Sequence, residues 1–113
     1  MLTLEGLQAF GADTKDGMAR CMNNEAFYLK MVEKSVADSS YTKLKEAIGA
    51  NDLDAAFEAA HALKGVLGNL ALTPILNPVS EMTELLRART QTDYGTYLEA
   101  ILTKWEELKN LCL

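Results

Sequence analysis

Four residues in one short stretch have types and spacing that suit a chemical role: His61, Lys64, Gly65 and Gly68. His61 is the only histidine in the chain. Intervals of three, four and seven residues place side chains on the same side of a helix. A neutral imidazole is a good nucleophile near physiological pH, and a lysine one turn away is a compact cation suited to a phosphoryl group. The stretch therefore predicts a histidine that can hold a phosphoryl group.

The two glycines strengthen this prediction. A glycine inside a helix costs about 0.5–1 kcal/mol relative to alanine. Helical rotation places Gly65 and Gly68 beside His61 and points Gly65 away from the core. A lone histidine on a helix flank is usually an ordinary surface side chain, and glycine often serves close helix packing. Two glycines on the surface that carries the histidine instead indicate that another molecule approaches the backbone there.

The helix that carries His61 has a regular apolar side. Asn51 or Asp52 is expected to cap its start, and the helix should run to about Leu70. Because His61 falls off the apolar arc and near Phe57, we expect it to be partly exposed at the rim of the core. The core positions recur at spacings of three and four: Leu53, Ala56, Ala60, Leu63, Leu67 and Leu70.

The rest of the chain also shows helical periodicity, without sustained apolar/polar alternation or hairpin turn signals. Helices are predicted over about 3–10, from Asp13 or Thr14 to about 22, over 24–49 with a break at Ser39-Ser40, and over about 94–112. Long helices with short connections predict an all-α fold, an antiparallel up-and-down four-helix bundle with two short N-terminal helices covering one end. The length of 113 residues predicts a single domain over 1–113.

The helix after the His61 helix has two competing start signals. Thr73-Pro74 places a capping hydroxyl before a proline at the first helical position. Asn77-Pro78 repeats the signal, and a proline inside a running helix would remove a hydrogen bond and clash with the preceding turn. Either the helix kinks at Pro78, or 73–77 form a separate turn and Asn77 caps the helix; we expect the second. The apolar side of this helix is formed by Val79, Met82, Leu85 and Leu86.

Composition and charge exclude several classes of function. The formal net charge of −5 disfavours a general nucleic-acid binder and association with an anionic membrane. No apolar run reaches the roughly 20 residues of a membrane helix, and no signal peptide is visible, so we expect a cytoplasmic protein. Cys21 and Cys112 are expected to be reduced thiols, with a disulfide between the chain ends as the alternative. With one histidine and no CxxC spacing, the chain cannot assemble a Cys/His zinc site.

Motifs for nucleotide chemistry are missing. The sequence contains no Walker A motif, no GxGxxG and no kinase signature. No second catalytic group is identifiable either. We therefore expect a protein that holds a phosphoryl group without an ATP site of its own, and not an autonomous enzyme.

The stretch Ala60-His61-Ala62-Leu63-Lys64-Gly65, followed by Gly68-Asn69-Leu70, resembles the His-x-Leu-Lys-Gly signature of histidine-containing phosphotransfer (HPt) domains. These are helical-bundle intermediates of two-component phosphorelays, and the resemblance covers most of the chain. It implies that His61 is the phosphoacceptor, through Nε2, and that Lys64 steadies the phosphoryl charge. Gly65, and Gly68 with it, would leave room for a docking receiver domain.

The resemblance also implies a polar side chain on the next helix that hydrogen-bonds the histidine. Thr83, Glu84 and Ser80 are the candidates, and the sequence does not choose among them. The chain departs from the usual pattern at Asn77-Pro78, in that same helix. Ala71 is a second, milder departure, since glycine is common there.

The implied partners are receiver domains of response regulators or of hybrid histidine kinases, which would bring the Mg²⁺; the chain itself needs no cofactor. The chain is expected to be a monomer, either free or as a domain of such a kinase. Phe57, Met18 and Met22 are candidates for the docking surface, although core filling explains the methionines equally well. The alternative function is a non-catalytic helical module that binds a receiver or kinase without phosphotransfer.

Overall fold

The computed structural model describes residues 1–113 and is built of helices, turns and bends without strands, which confirms the all-α prediction. The seven helices are α1 Leu4–Phe10, α2 Thr14–Arg20, α3 Glu25–Ser35, α4 Ser40–Gly49, α5 Leu53–Asn69, α6 Thr73–Arg87 and α7 Tyr94–Leu111.

The last four helices form the bundle. Helix α4 packs against α5 and α7, and α6 packs against the same two helices, so the four close into a ring. The connections over 50–52, 70–72 and 88–93 are short, which makes consecutive helices antiparallel neighbours. The predicted helical bundle is therefore present. Its centre consists of fully buried side chains from all four helices, among them Leu44, Leu63, Leu67, Met82, Leu86, Ile101 and Leu108.

The first three helices lie over the end of the bundle where α5 finishes. The Tyr28 hydroxyl of α3 donates a buried hydrogen bond to the Leu70 carbonyl at 2.9 Å. The backbone N–H of Asp13, at the start of α2, donates to the Ala71 carbonyl at 3.0 Å. Helix α1 packs against α7. These contacts place α2 next to the C-terminal half of α5, and His61 is the central residue of that helix.

Short polar side chains set the starts of five helices. Asp13 accepts from the amide of Asp16 and Asp52 from that of Ala55, so the aspartates, and not Thr14 or Asn51, are the caps of α2 and α5. The caps of the other three helices are Thr3, Asn24 and Asp93.

The expected break before Pro78 is wrong. Helix α6 runs without interruption from Thr73 and contains Pro78 in its interior. The carbonyl of Pro74 loses its partner amide there, and an interior proline costs about 3 kcal/mol. A break would take Ile75, which is fully buried, and Leu76, which is half-buried against the core, out of register with the rest of the apolar face. Full burial of such a side chain contributes about 1.5–3 kcal/mol. Packing therefore outweighs the lost bond.

The expected capping role of Thr73 is also wrong. Thr73 is the first residue of the helix, Leu72 occupies the cap position, and the Thr73 hydroxyl donates to the Ala71 carbonyl at 3.4 Å. The missed sequence signal is Ile75, four residues before Val79. With Ile75 included, the apolar face of α6 begins ahead of the proline and predicts a continuous helix.

An aromatic pair anchors the start of α4. The Trp105 indole N–H donates to the Val36 carbonyl at 3.0 Å, and its ring stacks on Tyr41 with centroids 4.4 Å apart. The buried Tyr41 hydroxyl has no hydrogen-bond partner.

Cys21 and Cys112 are free thiols, as expected, and not a disulfide. No helix has both the length and the apolar character needed to cross a membrane.

Candidate functional site

His61 lies on the exposed side of α5, directly after the fully buried Ala60. Ala60 and Leu63 face the core on either side of it in sequence, so the helix turns the imidazole outward. This is the placement that the helical rotation predicts. An exposed imidazole on a rigid helix is accessible to a second protein.

A shallow groove of about 390 Å³ runs along α5 beside the imidazole. Its lining contains three side chains that carry or can carry positive charge, and two glycines. The six lining residues are Arg20, His61, Lys64, Gly65, Gly68 and Asn69. Because no apolar side chain lines the groove, it suits a small anionic group better than an apolar ligand.

The two groove glycines have open space around them. A Cβ atom added at Gly65 or Gly68 would meet nothing within 4 Å. Close packing inside this chain therefore does not explain either glycine. Gly17 on α2 is the contrast, since its Cβ would lie 2.5 Å from the Tyr28 ring. Gly17 allows close packing of α2 against Tyr28. Gly65 and Gly68 instead leave the backbone of α5 uncovered by side chains on this surface.

An exposed ion-pair chain borders the groove on the α6 side. Lys64 Nζ lies 3.5 Å from Glu84 Oε1, and the other oxygen of Glu84 lies 3.4 Å from Arg87 Nε. Exposed pairs of this kind contribute little to stability, about 0–1 kcal/mol. Lys64 is thus held near the groove by a contact that is weak enough to exchange for another anion.

The ring of His61 stacks on Phe57, one helical turn earlier. Their centroids are 5.6 Å apart and their planes differ by 14°. The Arg87 guanidinium lies over the same Phe57 ring, 5.1 Å from its centroid. Phe57 is half-buried and packs against the core. A side chain of the scaffold therefore contacts one face of the imidazole.

The three α6 candidates for orienting His61 lie in different environments. Thr83 is fully buried, and its hydroxyl donates to the Val79 carbonyl of its own helix at 2.7 Å. Glu84 binds Lys64, and Ser80 is half-buried without a side-chain hydrogen bond. The His61 imidazole makes no hydrogen bond within the chain, so none of the three orients it in this structure.

The two methionines near α2 also differ. Met18 is half-buried and packs against the core, as core filling requires. Met22, in the turn after α2, is 82% exposed and has a left-handed backbone with φ 58°. Of the two, only Met22 offers a large exposed apolar surface.

Two arginines near His61 are not among the site residues that the sequence predicts. Arg20 reaches the groove from α2 while pairing with Asp16 at 3.0 Å. Arg87 lies in the last turn of α6 and contacts Phe57. No local signal identifies Arg20, because its proximity to His61 depends on how α2 packs.

No group of three or more His, Cys, Asp or Glu side chains is arranged to hold a metal ion in the structure. The site consists instead of one imidazole, flanking cations and bare helix backbone. Such an arrangement can present a nucleophile to a phosphoryl group that a second protein holds.

Comparison with known proteins bears on this site. No curated protein and no solved structure matches the chain. The model of one family, described as Hpt domain, matches residues 34–111, which is more than half of the chain. The matched region contains α4 to α7 and the whole 60–70 stretch. The chain therefore belongs to the Hpt domain family, whose members act in phosphorelays by histidine phosphotransfer.

Proposed function

We propose that this protein is a phosphocarrier in a two-component phosphorelay, with His61 as the residue that carries the phosphoryl group. One observation supports this most: the only histidine is exposed beside Lys64, above two glycines with open space around them. A glycine in the helix interior that packs against nothing, as Gly65 does, is unfavourable by about 0.5–1 kcal/mol. Access for a partner would explain both Gly65 and Gly68.

The proposed reaction is a reversible in-line transfer. The lone pair of His61 Nε2 attacks the phosphorus of an aspartyl phosphate on a receiver domain. The N–P bond forms as the O–P bond breaks, the aspartate leaves as a carboxylate, and the imidazole Nδ1 proton goes to solvent. The second transfer reverses these bond changes onto another receiver aspartate.

The two proteins contribute different parts to this transfer. The receiver would supply the Mg²⁺ and the acidic pocket. Lys64 would neutralise part of the phosphoryl charge, and Gly65 and Gly68 would let the receiver backbone approach the imidazole. Phosphoryl transfer depends mainly on positioning and charge stabilisation, so a carrier needs little catalytic machinery of its own.

The proposal extends to the docking surface and the setting. Phe57, which contacts His61, and Met22, in the turn after α2, are the candidate apolar anchors, together with Met18 of α2. We propose that residues 1–113 act as one monomeric domain in the cytoplasm, alone or within a hybrid histidine kinase. A single core cluster that joins Leu7 of α1 to Leu108 of α7 supports one domain.

The test is phosphotransfer from a labelled receiver. Receiver domains of the source organism, phosphorylated one at a time, should label the wild type within seconds to minutes for the cognate partner. His61→Gln should remain unlabelled while its helical circular dichroism is unchanged. Equal labelling of His61→Gln would overturn the assignment of the phosphoacceptor.

The same experiment separates the proposal from a module that only binds. Receiver binding without any labelling of the wild type, and with equal affinity for His61→Ala, would show a binding module. Labelling that requires His61 shows a carrier.

A further inference from the structure

We infer that Phe57 is a positioning residue for phosphoryl transfer, and that it orients the His61 imidazole through offset, near-parallel stacking in place of a hydrogen bond. This inference rests on the proposed role of His61. The stack itself, with centroids 5.6 Å apart and planes 14° from parallel, is independent of that role.

An exposed histidine on a helix turns about two side-chain bonds, and most of its rotamers aim the nitrogens away from a docked donor. An attacking atom has to be held within about 3–3.5 Å of its target, in line. The His61 imidazole has no hydrogen bond within the chain to restrict this motion. Its one aromatic contact is Phe57, four residues earlier on α5, at the spacing where helix side chains meet.

Helix α6 provides no side chain that hydrogen-bonds the His61 imidazole in this structure. The Thr83 hydroxyl is committed to the Val79 carbonyl at 2.7 Å and is fully buried. The carboxylate of Glu84 is committed to Lys64 and Arg87. Phe57 is therefore the scaffold residue in contact with the imidazole ring.

Phe57 is itself held in place. It packs against the hydrophobic core on one side, and the Arg87 guanidinium lies 5.1 Å from its centroid. Arg87 is in turn paired with Glu84 at 3.4 Å. A ring with these contacts has fewer accessible rotamers than an exposed phenylalanine, so it can limit the plane of the imidazole.

Stacking differs from a hydrogen bond because it leaves both ring nitrogens of His61 free to react. A hydrogen bond uses one ring nitrogen and selects a tautomer. A stack uses only the face of the imidazole and leaves both nitrogens at its edge. The device therefore orients the ring without occupying the reacting atom.

The first test observes the stack directly. In proton NMR spectra, the His61 ring C–H resonances should be shifted upfield by the Phe57 ring current in the wild type. Phe57→Leu should return them to the positions of a free histidine, and Phe57→Tyr should keep the shift. Phe27→Leu, which removes the 41% exposed phenylalanine on α3, is the matched control and should leave them unchanged. Unshifted resonances in the wild type would overturn the inference.

The second test measures the chemistry without a docking partner. Phosphoramidate donates its phosphoryl group to histidine: the N–P bond to His61 forms, the donor P–N bond breaks, and ammonia leaves. Phe57→Leu should slow this labelling about 3- to 10-fold, which is the range that one aromatic pair can account for. Phe57→Tyr should restore the rate, and Phe27→Leu should match the wild type.

With a phosphorylated receiver as donor, Phe57→Leu should lower kcat. Because leucine keeps an apolar side chain at the proposed docking surface, KM should stay nearly unchanged. A raised KM with an unchanged phosphoramidate rate would assign Phe57 to docking and overturn the positioning role. Wild-type labelling at the same rate as Phe57→Leu would overturn the positioning role alone. Failure of every donor to label the wild type would overturn the proposed function and the inference together.

Discussion

The ammonium of Lys64 lies 3.5 Å from the carboxylate of Glu84, on the neighbouring helix. Both side chains are substantially exposed, 39% for Lys64 and 59% for Glu84, so water weakens their attraction. In the proposed mechanism, the same ammonium faces the phosphoryl group on His61. Glu84 then acts as the counter-ion of Lys64 before phosphorylation and as a like charge to the phosphoryl group afterwards.

Glu84→Gln is therefore expected to favour the phosphorylated state. Removing the carboxylate frees Lys64 and removes a repulsion, which should shift the transfer equilibrium toward phospho-His61 about two- to fivefold at low salt. The shift should shrink as ionic strength rises, because exposed charges are screened. The measurement is the label distribution between receiver and carrier at two salt concentrations.

Glu106→Gln is the matched control, since Glu106 pairs with Lys109 at 2.8 Å on the outer side of α7. It should leave the equilibrium unchanged. A salt-independent effect of Glu84→Gln would contradict the electrostatic explanation.

Alanine substitutions should separate the two kinds of helix glycine. Gly65→Ala should raise the free energy of unfolding by about 0.5–1 kcal/mol, because the added Cβ meets open space and the helix gains propensity. Gly17→Ala should lower it, because its Cβ would lie 2.5 Å from the Tyr28 ring. Thermal unfolding followed by circular dichroism measures both changes. A loss of stability in Gly65→Ala would contradict the open surface.

A larger side chain tests what the open surface is for. Gly65→Gln should keep the fold but reduce transfer from a receiver by at least about tenfold, because the receiver backbone can no longer approach. Labelling by phosphoramidate, a small donor, should persist. Loss of both reactions would instead point to a disturbed imidazole.

The two fully buried tyrosines should respond differently to removal of the hydroxyl. Tyr41→Phe should stabilise the fold by about 1 kcal/mol, because the buried hydroxyl lacks a partner while the stack on Trp105 remains. Tyr28→Phe should destabilise it by about 1–3 kcal/mol, because the Leu70 carbonyl loses its donor. Urea unfolding of both variants gives the comparison. Equal effects would show that the Leu70 hydrogen bond contributes nothing.

Stability should fall at alkaline pH. Two effects raise the pKa of Tyr28 from 10.0 to about 12. Burial of the hydroxyl is the larger, and the charges of the nearby Cys21, Asp13 and Asp16 add to it. Between these values the unfolded chain has released the proton that the folded chain retains, so the contribution is complete below pH 10 and is lost as pH rises toward about 12. Burial and Asp38 also raise the pKa of Tyr41.

The check is urea unfolding at several pH values, with tyrosinate absorbance followed in parallel. Tyr28→Phe should show a shallower decline of stability above pH 10 than the wild type. An identical decline in the two proteins would rule out Tyr28 as a source of the alkaline sensitivity.

Local signals in the sequence were sufficient for most elements of the fold. The starts of α2 and α5 are predicted to within one residue, from Asp13 or Thr14 and from Asn51 or Asp52, and that of α3 from Asn24. A cap needs only the residues within its own turn, so these starts are visible in the sequence. The exposure of His61 followed from the 3.6-residue period. The prediction of a break at Pro78 is wrong because the local cost of a proline does not include the core contacts of Ile75 and Leu76, which precede it in the same helix.

The sequence by itself determined the histidine, the adjacent lysine and the glycines on one helix surface, since helix geometry relates residues that are close in the chain. Only the tertiary structure decided what surrounds them: Arg20 from α2, and Glu84 and Arg87 from α6. These contacts depend on how separate helices pack, which no local pattern encodes. The stack of Phe57 on His61 depends partly on the sequence and partly on the tertiary structure. Its four-residue spacing was visible from the start, but the side-chain rotamers that bring the rings together depend on the packed core beneath them.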